Sequence, residues 1–196
     1  MRAFAIANVE APPTEELFAR IRRLAAAGVD RVLLRDPTRP DAERYRTALR
    51  LRGLLAPPAA LMVHGRPDLA LAAAADGVHL PATGMPVGAV RRLFPNGIVG
   101  RACHSVEDCR AAAGEGAEYV LLGPIFAPRS KAGEARIGRE DLARAARLSV
   151  DVYALGGISP ANLGALQGLG LAGVAGITLF MADEPLEAVV EAVRRS

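Results

Sequence analysis

The sequence predicts a single α/β domain folded as a (β/α)8 TIM barrel, in which eight parallel strands form a ring surrounded by helices. Eight short apolar runs alternate with eight longer amphipathic stretches along the chain. Most of the runs are apolar on consecutive residues, which is typical of parallel strands buried on both faces. Each strand–helix unit takes roughly 24 residues, which suits a small barrel.

A doubly wound open sheet is the alternative, because it has the same alternation of strands and helices. Its dinucleotide-binding members carry a glycine-rich motif in the first strand-to-helix turn. That turn contains no such motif here, since it reads Asn8-Val9-Glu10-Ala11-Pro12. The barrel is therefore the favoured fold.

Each apolar run has the length of a strand and is followed by a stretch with helical periodicity. The predicted strands are Ala3–Asn8, Arg31–Arg35, Ala59–Val63, Gly77–Leu80, Gly97–Arg101, Tyr119–Leu122, Val150–Leu155 and Gly173–Ile177. The predicted helices are Thr14–Ala27, Asp41–Leu55, Asp68–Ala75, Val87–Phe94, Ser105–Ala113, Arg139–Leu148, Pro160–Gly168 and Pro185–Arg195.

The helix boundaries rest on local signals. In the first helix Leu17, Ile21 and Leu24 share one face. Ser105 precedes acidic residues, as an N-cap does, and Ser159-Pro160 combines an N-cap with a proline at the first helical position. These signals predict that helices begin directly after the fifth and seventh strands.

The length of 196 residues suits one domain over residues 1–196, and about half of the chain is hydrophobic, which is enough for a sizeable core. The 24 basic residues are interleaved with 21 acidic ones, and no basic block has aromatic neighbours, so nucleic acid is not an expected partner. Cys103 and Cys109 lack the spacing of a redox or metal motif and are expected to be reduced thiols.

The protein is predicted to be cytoplasmic. The apolar segment at the N-terminus ends before Glu10 and is too short for a signal peptide. No run approaches the roughly 18 apolar residues of a membrane span, so a membrane is not an expected partner.

The site is expected at the C-terminal ends of the strands, where barrels of this kind bind their ligands. The paired glycines Gly156 and Gly157 follow strand 7, and glycine lets backbone amides approach an anion closely. Barrels commonly hold phosphate between the loops after strands 7 and 8. Ser130 and Lys131 lie in the long loop after strand 6 and are predicted to contribute to phosphate binding.

Ionisable residues lie at the ends of other strands. His64 and His104 are candidates for proton transfer near neutral pH, although a capping role is an alternative for each. His79 lies within strand 4 and is predicted to be structural. Arg35 ends strand 2 and is a candidate for binding the phosphate of the substrate, with an ion pair to Asp36 as the alternative.

The sequence does not predict a metal site. Magnesium needs oxygen ligands, chiefly carboxylates. Asp36 is the only evident carboxylate in the strand-end segments through strand 5, and no zinc or Walker motif occurs.

Four motifs occur in a fixed order along the chain and resemble those of one family, that of the thiamine phosphate synthases and the related TenI-type thiazole tautomerases. The resemblance runs from about strand 2 to strand 8. The motifs are Ala75-Asp76-Gly77-Val78-His79-Leu80; Gly123-Pro124-Ile125-Phe126 with Lys131; Leu155-Gly156-Gly157-Ile158 with Asn162; and Gly173-Val174-Ala175.

The resemblance implies two possible activities. The synthases join a thiazole phosphate to a pyrimidine diphosphate with Mg²⁺, whereas the tautomerases move a proton on a carboxythiazole phosphate without a metal. The side of the site that binds thiazole phosphate is largely retained, since Lys131, Gly156, Gly157 and Ile177 match. Thr178 stands where a serine is usual, and Ser130 stands for a threonine.

The pyrimidine-diphosphate side of the synthase pattern is largely lost. The synthases' Gln-Leu-Arg-Glu-Lys run reads Leu33-Leu34-Arg35-Asp36-Pro37 here, and their Asn-Asp after strand 3 reads His64-Gly65. Their second metal-binding Asp reads Gly84, and their serine after strand 5 reads Ala102. Both metal-binding positions are therefore glycine.

These replacements predict a metal-independent thiazole tautomerase, an isomerase without a cofactor, that binds a thiazole phosphate. Because Pro124 stands where the tautomerases have their acid/base histidine, His64 or His104 is the expected proton carrier. The alternatives are a thiamine phosphate synthase, which alone would need Mg²⁺, and a non-catalytic thiazole-phosphate binder. The resemblance also implies a possible homodimer.

Overall fold

Eight parallel strands close into a barrel in which each strand pairs with its neighbours in sequence and β8 pairs with β1. The computed structural model describes residues 1–9, 11–126, 137–182 and 185–196. The predicted (β/α)8 fold is confirmed. The strands are β1 Arg2–Asn8, β2 Arg31–Arg35, β3 Ala60–His64, β4 Gly77–Leu80, β5 Ile98–Cys103, β6 Tyr119–Leu122, β7 Asp151–Leu155 and β8 Gly173–Gly176.

Helices cover the outside of the ring. They are α1 Glu15–Ala26, α2 Asp41–Leu54, α3 Pro67–Ala72, α4 Val87–Leu93, α5 Val106–Gly114, α6 Arg139–Ala145, α7 Thr178–Met181 and α8 Leu186–Arg195. Within the described ranges, no helix is long and apolar enough to cross a membrane.

The prediction of a helix over Pro160–Gly168 is wrong. The chain forms only a short 3-10 helix, Leu163–Leu166, between β7 and β8. Asn162, the residue before it, has φ −116° and ψ 0°, which is outside the helical region. The short α7 directly after β8 was not predicted.

Two apolar clusters hold the barrel together. The larger one lies between the strands and the helices, and the smaller one fills the inside of the ring. Alternate strand residues face inward, because successive side chains of a strand point to opposite sides. The buried residues of the inner cluster are Phe4, Ile6, Leu33, Met62, Tyr119, Leu121, Tyr153 and Ala175.

Three aromatic side chains, Phe4, Tyr119 and Tyr153, contact one another inside the ring. Phe4 makes edge contacts with Tyr119 and Tyr153, with ring centroids 5.3 and 5.5 Å apart. The Tyr119 ring has room because Gly100 opposes it on β5: a Cβ there would lie 2.0 Å from Cζ of the ring. Gly100 thus leaves room for an aromatic side chain inside the barrel.

Candidate active site

A cavity of about 180 Å³ lies at the C-terminal ends of β7 and β8. Gly156 and Gly157 line it from the β7 side, and Ile177 and Thr178 line it from the β8 side. The four residues predicted for phosphate and thiazole binding in these two loops therefore share one cavity. Of the other residues predicted for this ligand, Ser130 and Lys131 lie outside the described residues, and Arg35 lies at the end of β2 and does not line this cavity.

The turn after β7 requires glycine at both positions. Gly156 and Gly157 have φ values of +104° and +64°, in the region that other residues rarely adopt. A Cβ on Gly156 would lie 2.9 Å from the Pro124 Cα, and one on Gly157 would lie 2.6 Å from the Phe126 carbonyl oxygen. The turn thus packs directly against the backbone that follows β6.

Hydrogen bonds fix this contact. The Ile125 amide donates to the Leu155 carbonyl at 3.0 Å, and the Phe126 amide donates to the Gly156 carbonyl at 3.1 Å. On the other side of the turn, the Asn162 side chain donates to the Gly157 carbonyl at 2.9 Å. The cavity wall is therefore set by the backbone.

The helix that was predicted to begin at Ser159-Pro160 does not begin there. The Asn162 Oδ1 accepts a hydrogen bond from the Ser159 amide at 2.8 Å and closes a turn there instead. Helical backbone begins only at Leu163 and lasts four residues. A helix dipole after β7 therefore does not help to attract an anion to the cavity.

Arg35 and His64 lie side by side at the ends of β2 and β3, since Leu34 pairs with Val63 one residue earlier. The Arg35 guanidinium donates a hydrogen bond to the Asn8 side chain at the end of β1. The ion pair of Arg35 with Asp36, one of two predicted alternatives, does not form. Asp36 is buried and pairs with Arg39 and Arg44 instead.

His64 continues into a buried row of rings. Its ring centroid lies 5.7 Å from that of His79, which stacks on Tyr119 with centroids 5.6 Å apart. The His79 Nδ1 lies 3.2 Å from the Tyr119 hydroxyl, in agreement with the structural role predicted for His79. The row leads from the mouth into the barrel.

Burial sets the protonation of this row. Desolvation, and after it the neighbouring His64, lower the pKa of His79 to about 3. Desolvation and then the Arg35 charge lower the pKa of His64. Desolvation raises the pKa of Tyr119. All three side chains are neutral at pH 7, and the buried Nδ1 of His64 has no hydrogen-bond partner among the described residues.

His104 is placed differently. Its Nδ1 lies 2.7 Å from the Gly123 carbonyl oxygen, and its backbone amide donates to Asp108 at 2.9 Å. The described part of the chain shows no hydrogen bond or ring contact between His104 and His64. A role in proton transfer remains an untested prediction for both histidines.

The described residues do not fit a magnesium site. They contain no group of three histidine, cysteine or acidic side chains that could hold a metal ion. The side chain of Asp36, the candidate carboxylate, accepts hydrogen bonds from Arg39 Nε at 2.8 Å and Nη2 at 2.5 Å. Its oxygens are therefore already bound to a cation.

Sequence reasoning missed two residues near the mouth. Asn8 ends β1 and holds Arg35, and its polarity at a strand end was the available signal. Arg101 donates to the Ala82 and Met85 carbonyl oxygens at 2.7 and 2.8 Å and holds the loop after β4. Nothing in the sequence pattern relates Arg101 to that loop.

Proteins with similar sequences are named as synthases. The putative thiamine-phosphate synthase 2 of Aquifex aeolicus is 37% identical over 169 residues, which cover 85% of this chain and 91% of that protein. The thiamine-phosphate synthase of Methanoculleus marisnigri is 39% identical over 180 residues, which cover 89% of this chain and 85% of that protein.

The predicted isomerase activity is wrong, because the relatives carry the name of a transferase. The tautomerase interpretation rested on side chains lost from one half of the mouth, and such losses do not identify the bond that an enzyme makes. The structure also places Pro124, which has no proton to transfer, beside the β7 turn, where the tautomerases have their acid/base histidine.

The family assignment agrees with the structural comparison. The thiamine phosphate pyrophosphorylase of Pyrococcus furiosus superposes with a TM-score of 0.85 and 28% sequence identity, and the alignment covers 99% of this chain and 94% of that one. The family model for thiamine monophosphate synthase matches residues 3–180. The chain belongs to the thiamine monophosphate synthase family.

Proposed function

We propose that the protein is a transferase that joins a thiazole phosphate to a pyrimidine diphosphate, forming thiamine phosphate and releasing diphosphate. The observation that carries this proposal is the family match over residues 3–180, together with relatives of nearly the same length that are named thiamine-phosphate synthases. We place the reaction in the cytoplasm.

The cavity at β7 and β8 is the proposed site of the thiazole phosphate. Gly156 and Gly157 present backbone without side chains, and Thr178 adds a hydroxyl group, so an anion can approach amide and hydroxyl donors closely. Lys131 and Ser130 are proposed as further phosphate ligands. Ile177, whose side chain is exposed, is proposed to contact the thiazole ring.

The pyrimidine diphosphate is proposed to lie across the mouth, beside Arg35. Negative charge that grows on a departing diphosphate needs cations or hydrogen-bond donors placed before the reaction. Magnesium supplies such charge in the synthases that the chain resembles, but the carboxylates near β2, β3 and β4 do not fit it here. We therefore derive no step through a metal.

The proposal is tested by incubating purified protein with both substrates, in buffer that contains Mg²⁺, and measuring thiamine phosphate by chromatography. We expect product to form in proportion to enzyme concentration. A protein that binds thiazole phosphate but forms no product under these conditions would refute the transferase and favour the non-catalytic binder.

A matched pair of variants tests the phosphate position. Gly157→Ala introduces a Cβ 2.6 Å from the Phe126 carbonyl oxygen at a positive φ, so the turn must move. We expect KM for thiazole phosphate to rise at least about tenfold, the loss of one or more hydrogen bonds to a charged group. Gly164→Ala, where a Cβ meets nothing within 4 Å, should leave KM unchanged. Equal KM values for the two variants would place the phosphate elsewhere.

Two expectations about assembly and partners accompany the proposal. The partners are small molecules, the thiazole phosphate first among them, and neither nucleic acid nor a membrane is among them. A homodimer remains a prediction, and size-exclusion chromatography with light scattering would test it.

A further inference from the structure

The mouth at the ends of β2, β3 and β4 lacks the acidic side chains that the family resemblance implies there. Gly65 and Gly84 occupy the two positions of the metal-binding aspartates. Both lie next to Pro81: a Cβ on Gly65 would lie 3.7 Å from the Pro81 Cδ, and one on Gly84 would lie 2.8 Å from it. The two positions are thus close together, as a shared metal site requires, but neither has a side chain.

The nearest carboxylates are already paired with arginines. Asp36 is buried against Arg39, with Nη2 and Oδ2 2.5 Å apart. Arg66 pairs with Asp68 at 2.6 Å and also with Asp41. Freeing any of these carboxylates for a metal ion would leave a guanidinium without its partner, which is costly where the pair is buried.

Backbone oxygens near Gly84 are also occupied. The Ala82 and Met85 carbonyls accept hydrogen bonds from Arg101, and the Pro81 carbonyl accepts one from the Gly84 amide at 2.8 Å. Magnesium requires oxygen ligands at short distances in octahedral geometry. A guanidinium bound to the same carbonyls repels a divalent cation, so this loop cannot supply the missing ligands.

Arg35 offers positive charge at the same side of the mouth. It forms no ion pair with any carboxylate that the structure describes, and its hydrogen bond goes to a neutral side chain, that of Asn8. The guanidinium is partly buried, which strengthens its attraction for an anion. A planar guanidinium also matches two phosphate oxygens at once.

We propose that the diphosphate group, for which the family resemblance already implies Arg35, binds at this side of the mouth without a metal ion held by protein side chains. The inference rests on the proposed function for the identity of the ligand. Inorganic pyrophosphate, the product released in the proposed reaction, is the direct probe, because its binding is measurable without turnover.

Isothermal titration calorimetry with pyrophosphate tests the inference, once in buffer with a chelator and once with Mg²⁺. We expect pyrophosphate to bind in the chelator. Arg35→Gln should weaken this binding at least about tenfold, since it removes a charged hydrogen bond. Arg35→Lys keeps the charge and should retain more of the affinity.

The control is Arg147→Gln, which changes an exposed arginine after α6, at the opposite end of the barrel, and should bind pyrophosphate as the unaltered protein does. Circular dichroism of each variant confirms that it is folded.

Pyrophosphate that binds only when Mg²⁺ is present would overturn the inference, as would a folded Arg35→Gln variant with unchanged affinity. The two proposals fail separately. Synthase activity with metal-dependent pyrophosphate binding would reject this inference alone. Chelator-resistant binding by a protein that forms no thiamine phosphate would reject the proposed function alone.

Discussion

His79 is an ionisable side chain enclosed completely within a barrel. Among the described residues, no salt bridge compensates His79 for the loss of water around its ring. Its hydrogen-bond partner is the neutral hydroxyl of Tyr119, at 3.2 Å. A charged imidazole is therefore strongly disfavoured in the folded state, and burial lowers the pKa of His79 to about 3. In the unfolded chain the pKa is near 6.5.

This difference between the folded and unfolded pKa of His79 predicts that this one residue makes the protein less stable in acid. Between pH 6.5 and about 3 the unfolded chain binds one more proton than the folded chain at this site, so the free energy of unfolding falls as the pH falls. The slope should reach about 1.4 kcal/mol per pH unit for this group. Urea unfolding at several pH values should show that His79→Gln reduces the slope by that amount.

Ser149→Ala is the control for this experiment, because it changes an exposed side chain that does not titrate and should leave the slope unchanged. An identical pH dependence in the His79→Gln variant and the unaltered protein would show that His79 titrates normally.

At the scale of elements, α5 shows how a short helix is fixed at the mouth of the barrel. Ser105 is its N-cap and accepts a hydrogen bond from the Asp108 amide at 3.0 Å, and Asp108 in turn accepts one from the His104 amide at 2.9 Å. This reciprocal arrangement satisfies two amides that the helix itself cannot bond.

Removing the cap should destabilise the protein measurably. Ser105→Ala is expected to lower the free energy of unfolding by about 1 kcal/mol, as measured by urea denaturation. Ser149→Ala changes an exposed serine for which the described residues show no side-chain hydrogen bond, and it should have no comparable effect. Equal stability of the two variants would mean that the cap is not formed in solution.

The elements that the sequence predicted well are those with one dominant physical cause. Strands buried on both faces read as apolar runs, so β2, β4 and β6 were predicted with their observed bounds. The segment after β7 was predicted wrongly, because Ser159-Pro160 has the features of a helix start while the Asn162 side chain closes a turn there. The turn forms instead of the helix because the Asn162 side chain also donates a hydrogen bond to the Gly157 carbonyl, and local sequence patterns do not reveal this contact.

At the scale of the whole molecule, the inner cluster joins strands that are far apart in sequence. The Phe4 ring on β1 contacts Tyr119 on β6 and Tyr153 on β7, so a single side chain links strands that are not neighbours in the ring. The Phe4 side chain should therefore contribute to the free energy of unfolding as much as a fully buried core residue does.

Phe4→Ala is expected to lower the free energy of unfolding by about 3–5 kcal/mol, because it leaves a cavity among packed rings. Urea denaturation followed by tyrosine fluorescence and by circular dichroism measures the change. Leu93→Ala removes a leucine that is 57% exposed, and it should change the stability by less than about 0.5 kcal/mol. A Phe4→Ala variant as stable as Leu93→Ala would show that the ring interior is not tightly packed.

The wrong prediction of the reaction also has its cause at the scale of the whole molecule. Strand-end positions identified the β7–β8 cavity residues and Arg35, because the ends of parallel strands meet at one face of a barrel. The absence of carboxylates at Gly65 and Gly84 was equally visible, but it does not indicate which reaction is catalysed. The information about reaction class comes from the names of the similar proteins, which are synthases.

Closure of the ring between β1 and β8 also affects how the protein can meet other molecules. Each described strand has a hydrogen-bonded neighbour on both sides, so no row of free amides and carbonyls faces solvent. Another polypeptide cannot extend this sheet by adding a strand, and strand-to-strand aggregation of the folded protein has no starting point. A second copy of the chain would have to dock through helices and loops.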